Sequence, residues 1–82
     1  MWIETMHVHI DEQGRKKKQA VTLNMNNVIG YMARGDDRTR LFFELGHDLQ
    51  DRRSAHWMDV LNPKEEFDQL LDVKQLRATD EA

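Results

Sequence analysis

The sequence predicts an α+β domain, either a small antiparallel β-meander or an open five-stranded barrel, with one C-terminal helix. Three observations lead to this prediction. Several short segments show the two-residue alternation of strands, turn-forming residues separate them, and a capped segment with helical periodicity follows. The 82 residues fit a single domain, which we expect to span 1–77, with a frayed tail at 78–82.

The first predicted strand covers residues 2–11 and alternates polar and apolar side chains, which is typical of a half-buried strand. Its apolar side carries Trp2, Met6, Val8 and Ile10. We expect Asp11 to open a hairpin turn and Gly14 to supply a positive φ. The returning strand begins within 15–18 and continues through 19–25.

Three further strands are predicted, at 28–33, 39–45 and 55–61, with loops at 34–38 and 46–54. Gly30 marks a bulge or a close backbone approach in the first of them. In the second, the alternation places Leu41, Phe43 and Leu45 on one face and Phe42 on the other.

The C-terminal helix is predicted from its start signals. Asn62 is expected to be the N-cap, Pro63 fits the first helical position, and Glu65 stands at the capping-box offset. Its apolar stripe is expected to contain Phe67, Leu70 and Leu71, widened by Val73 and Leu76.

Composition excludes several classes of protein. The chain contains no cysteine, which excludes disulfides and thiolate zinc sites and fits a reducing cytoplasm. Its formal net charge of −3 argues against a general binder of polyanions. No signal-peptide pattern or membrane-length apolar stretch is present, so we expect a cytoplasmic protein that does not contact membranes.

Residues 21–71 resemble the small FlbD-type proteins of flagellar operons. The shared features are a T-L-N after a strand (22–24), a T-x-L-x-F strand (39–43), and an E-E-x-x-x-L-L helix (65–71). The chain departs from that pattern by a longer charged loop after Leu45, an extra N-terminal strand and more histidine. Small Sm-like barrels are similar in strand count but usually carry their helix first. The FlbD-type resemblance implies no catalytic residues.

Histidines are the candidate metal ligands. His7 and His9 project from the same face of a strand, Asp11 extends the row, and His56 would add a third nitrogen if its strand lay nearby. No third ligand stands at a diagnostic spacing, and alternating polar residues also line solvated sheet faces. We therefore predict no metal and no cofactor.

Catalysis is not expected. The pairs His47 with Asp48 and His56 with Asp59 resemble a base and its orienting acid, but Ser54 is the only serine and lies in a predicted loop. An enzyme also needs a concave, rigid pocket, for which a domain of this size has little volume.

A basic run is the candidate nucleic-acid contact. It comprises Arg15, Lys16, Lys17 and Lys18, which Arg52 and Arg53 could join. The alternative is a solvated turn whose lysines protect an edge strand from aggregation.

Large aromatic residues are the candidate interface. These are Phe42, Trp57 and Tyr31. A small domain without disulfides often gains stability by self-association.

We therefore predict a non-catalytic protein-interaction module that forms a homodimer and binds a protein partner. The alternative function is a small nucleic-acid-binding β-barrel that uses the basic turn at 15–18.

Overall fold

The computed structural model describes residues 1–44 and 57–76, and confirms the predicted α+β class. Within these residues, five strands form one antiparallel sheet, and one helix follows them. The elements are β1 (Trp2–Ile10), β2 (Lys16–Asn24), β3 (Val28–Ala33), β4 (Thr39–Phe43), β5 (Trp57–Val60) and α1 (Lys64–Leu70). The predicted loop at 46–54, the predicted tail, and the ends of the predicted strands at Leu45 and at 55–56 lie outside the described residues.

The strand order is β2-β1-β5-β4-β3, so consecutive strands β2 and β3 lie at opposite edges of the sheet. Yet only a short 3-10 helix, Met25–Asn27, separates them. Four strand spacings of about 4.8 Å would put the edges of a flat sheet roughly 19 Å apart. Four residue steps span at most about 14 Å. The sheet must therefore curl until its edges approach at this connection, which is the open-barrel form of the predicted fold.

The β1–β2 hairpin forms as predicted. Nine residue pairs run without interruption from Trp2 opposite Asn24 to Ile10 opposite Lys16. The Asp11 carboxylate accepts hydrogen bonds from the backbone N–H groups of Gln13 and Arg15, at 2.9 and 2.8 Å. Gly14 has a φ of 78°, a conformation that disfavours side chains with a Cβ. Aspartate and glycine thus fix this turn by the two mechanisms expected of them.

Gly30 lies beside a bulge, one of the two roles predicted for it. The β3–β4 register slips by one residue between Val28, opposite Phe43, and Gly30, opposite Phe42. No described atom lies within 4 Å of a Cβ built on Gly30, so close backbone approach is not its role. The extra residue, Ile29, is left exposed at the edge of the sheet.

One face of the sheet, the inner face, holds the core. Leu41 and Val60 are fully buried there, and the buried side chain of Phe67 from α1 packs over them. The remaining buried members of this cluster are Leu23 and Met25. Leu41 and Phe43 share this face while Phe42 lies on the other, in agreement with the predicted alternation.

The β1 side chains that point toward the core are not the ones that the alternation of the strand suggests. Residues paired across a ladder share a face, and His7 pairs with the core residue Val60. Ile3, Thr5 and His7 therefore point inward, and the apolar residues of the alternation point outward. Thr5 is satisfied there because its hydroxyl donates to the Asn62 side chain beside the helix. A hydrogen-bonded polar side chain is thereby accommodated at the margin of the core.

The start of the helix is not the one predicted. Pro63, not Asn62, is the N-cap, and no side chain caps the helix. The Asn62 amide instead bridges the sheet and the helix: its oxygen accepts from Thr5, and its nitrogen donates to the Glu66 carboxylate at 2.9 Å. Glu65 and Glu66 do lie in the first turn, where their charge complements the helix dipole.

The predicted apolar stripe of the helix is wrong beyond its first member. Phe67 is buried, but Leu70 and Leu71 are exposed by 44% and 37%, and Val73 and Leu76 are exposed as well. The cause is length, because the helix ends at Leu70 after seven residues and Asp72 takes a positive φ of 51°. Two turns bring only one large side chain onto the curled sheet.

In the part of the chain that the structure describes, no helix has the length and apolar character needed to cross a membrane.

Candidate interaction surface

The face of the sheet opposite the core, here called the outer face, carries an unusual number of large apolar side chains. The ladder pairings assign its members, because paired residues share a face. Its large apolar side chains are Trp2, Met6, Val8, Ile10, Met32, Phe42 and Trp57. No described helix packs on this face.

On the outer face, the large apolar side chains at the two ends of β1 are the most exposed. Trp2 is 69% exposed and Ile10 is 66% exposed, although both belong to a paired strand. Met32 and Trp57 are nearly half exposed. Single exposed apolar residues are normal on protein surfaces, but a set that shares one sheet face is typical of an interaction site.

Two of the three predicted interface residues lie together on this face. Phe42 on β4 pairs directly with Trp57 on β5. Tyr31 does not join them, because it pairs with Leu41 on the inner face. Its ring lies 5.5 Å from that of Phe67, and its hydroxyl donates to the Asp68 carboxylate at 2.8 Å.

An ion pair fixes the centre of the outer face. The Arg40 guanidinium donates to both carboxylate oxygens of Asp59, at 2.8 and 3.1 Å, and lies 3.7 Å from the centre of the Trp57 ring. The hydrogen bonds to Asp59 raise the pKa of Arg40. A forked ion pair with a cation–π contact on its other side holds all three side chains in one arrangement.

A groove opens on the outer face between β1 and β5. The two strands pair only at His7 opposite Val60, and a further hydrogen bond joins the Leu61 N–H to the Met6 carbonyl at 3.0 Å. From there toward Ile10 and Trp57 the strands diverge, and the space between them encloses about 580 Å³. Its walls include Val8, Ile10, Lys16, Arg38, Arg40 and Trp57.

The histidine pair also lines this groove. The His7 and His9 rings stack with their centres 5.0 Å apart. Burial lowers the pKa of His7, the neighbouring His9 lowers it further, and Asp59 opposes both effects. Among the described residues no group of three histidine, aspartate or glutamate side chains is arranged to hold a metal ion. His56, like His47, Asp48 and Ser54, lies outside that part of the chain.

The predicted basic run is divided by the hairpin. The carboxylate of Asp11 attracts Arg15 and Lys17, at 3.8 and 4.0 Å. Lys16 and Lys18 alternate with them and belong to the outer face, opposite Ile10 and Val8. The run therefore does not form one continuous patch, and the two arginines expected to join it, Arg52 and Arg53, lie outside the described residues.

The groove residues Arg38 and Arg40 were not among the predicted site residues, and Asp59 was considered only as a partner of His56. One signal was present, because Arg40 and Asp59 interrupt the apolar pattern of their strands on the same parity as Phe42 and Trp57. Only the pairing of β4 with β5 turns these separate interruptions into one ion pair.

No protein-family model, no curated protein and no solved structure matches this chain.

Proposed function

We propose that this protein is a non-catalytic protein-interaction module that forms a homodimer in the cytoplasm and binds protein through the outer face of its sheet. One observation carries the proposal. A single short helix covers the inner face, whereas the outer face leaves Trp2, Ile10 and Trp57 exposed.

The chemistry of the outer face supports this function. Aromatic, methionine and arginine side chains are enriched at protein interfaces, and all three occur there together. Because Asp59 and Trp57 already hold Arg40 in place, little side-chain entropy is lost when a partner binds over it. A small domain with a thin core also gains stability from such burial.

The nucleic-acid alternative has less support. Arg15 and Lys17 already contact Asp11. The chain carries a net charge of −3, which opposes approach to a phosphate backbone.

Light scattering tests the homodimer. At micromolar concentration we expect a mass near twice the 9.8 kDa of one chain. Phe42→Glu should shift the mass toward one chain, because it places a charge beside Trp57 in the proposed interface.

Gln19→Glu is the matched control, since it adds the same charge at an exposed position opposite His7, away from the outer face. It should leave the mass unchanged. A wild-type mass of one chain from low to high micromolar concentration would contradict the homodimer. Circular dichroism should show that both variants keep the fold.

A further inference from the structure

The groove between β1 and β5 has an apolar floor. Val8 is 7% exposed at its base, and Ile10 and Trp57 stand on opposite sides with much of their surface in solvent. Aliphatic and aromatic surfaces that face each other across a gap can enclose one large apolar side chain.

The rim of the groove is positively charged. Asp59 neutralises Arg40, but Lys16 and Arg38 also line the groove. Within the described part of the chain Arg38 forms an ion pair with Asp37 at 3.8 Å, and Asp37 is so exposed that this pair is weak. The groove as a whole therefore favours an anionic partner.

The backbone around the groove also favours an extended partner. Among the described residues, the segments 8–10 of β1 and 57–59 of β5 face the gap without pairing to each other. An extended chain can pair with strands that are open in this way.

These features distinguish a peptide from a nucleic acid. Single strands of nucleic acid bind by stacking bases on open aromatic faces. Here the guanidinium of Arg40 already covers one face of Trp57, and Val8 and Ile10 are aliphatic. We infer that the groove between β1 and β5 binds an extended acidic segment of a partner protein that inserts one large apolar side chain between Ile10 and Trp57. This inference rests on the proposed function and names the class of partner.

Fluorescence anisotropy tests the inference with a short fluorescein-labelled peptide that alternates aspartate and leucine. We expect it to bind, with an affinity that falls as salt is added, because salt screens charges on the rim. A peptide that alternates lysine and leucine should bind much more weakly. So should one that alternates aspartate and serine, since it lacks the apolar side chain.

Two neighbouring lysines provide the matched pair of variants. Lys16→Glu reverses a charge on the rim and should weaken binding of the aspartate–leucine peptide about fivefold. Lys17→Glu makes the same change on the same strand but on the opposite face. It should leave the affinity within about twofold of the wild type, because the reversed charge then lies on the other side of the sheet from Lys16 and solvent screens it.

A direct readout comes from Trp57. The chain has two tryptophans, so Trp2→Phe leaves Trp57 as the only one. Its emission should shift to shorter wavelength when the peptide excludes water from the groove. Equal losses from Lys16→Glu and Lys17→Glu would show unspecific attraction and overturn the inference. So would undetectable binding of the aspartate–leucine peptide, or preferential binding of an oligodeoxythymidylate.

These experiments test the groove and the homodimer independently of each other. Trp57 borders both surfaces, but Lys16 lies on β2, across the groove from Phe42 on β4. Lys16→Glu should therefore leave the mass from light scattering unchanged. A normal mass without peptide binding would reject the groove alone. Peptide binding by a single chain would reject the homodimer and keep the groove.

Discussion

The two faces of the sheet are built from the same strands, yet they have opposite environments. On the inner face even a polar group is fully buried: the Thr39 hydroxyl is satisfied by donating to the Asn62 carbonyl at 2.7 Å. On the outer face, tryptophan and isoleucine lie in solvent. The difference shows that apolar character alone does not bury a side chain of this sheet, because no described helix covers the outer face.

The largest expected effect concerns the side chain that links the helix to the inner face. Phe67→Ala should lower the free energy of unfolding by about 3–5 kcal/mol, because it removes a buried aromatic ring and leaves a cavity. Trp57→Ala on the outer face removes a larger side chain. It should nevertheless cost less than half as much, because Trp57 is already 43% exposed. Urea denaturation measures the free energy of unfolding of both variants. Equal losses of stability would contradict the contrast between the two faces.

Asn62→Ala should cost about 1–2 kcal/mol, although Asn62 does not cap the helix. The loss comes from its hydrogen bonds to Thr5 and Glu66, which connect β1 to the helix. A double-mutant cycle that combines Asn62→Ala with Thr5→Val isolates the hydrogen bond between Thr5 and Asn62. Additive effects of the two substitutions would show that this bond does not stabilise the inner face.

Leu70→Ala should cost less than about 1 kcal/mol, because nearly half of the Leu70 side chain is already in solvent. Thermal melts of Leu70→Ala and Phe67→Ala compare the loss of stability at two positions of the same short helix. A loss as large as that of Phe67→Ala would mean that the second turn of α1 also packs on the sheet.

The last expected effect is confined to high pH. Burial, together with the hydrogen bond to the Asp68 carboxylate, raises the pKa of Tyr31 from 10.0 to about 12. A raised pKa stabilises the fold below pH 10, and this stabilisation is lost as pH rises through about 12. Tyr31 is the only tyrosine, so ultraviolet absorbance follows its ionisation directly. Asp68→Asn should lower this pKa, and an unchanged titration would contradict the contact.

The sequence was enough to predict the class of fold and the five described strands, because turns and alternation are local properties. It also predicted the positive φ of Gly14 and offered the bulge as one of two roles for Gly30. The facing of β1 was not predictable from the sequence. Its polar parity lies inward, where the Thr5 hydroxyl donates to Asn62, 57 positions away in the chain. The ion pair of Arg40 with Asp59 likewise depends on which strands become neighbours. Both features come from tertiary pairing, which no short segment of sequence encodes.

The sparse backbone pairing between β1 and β5 also bears on how the molecule opens. The sheet consists of two well-paired units, β1–β2 and β3–β4–β5, joined at His7 opposite Val60. Because few backbone hydrogen bonds cross this seam, we expect it to open more readily than the ladders inside each unit. We expect native-state hydrogen exchange to show the amides nearest the seam exchanging through a partial opening, while the amides inside each unit exchange only on global unfolding.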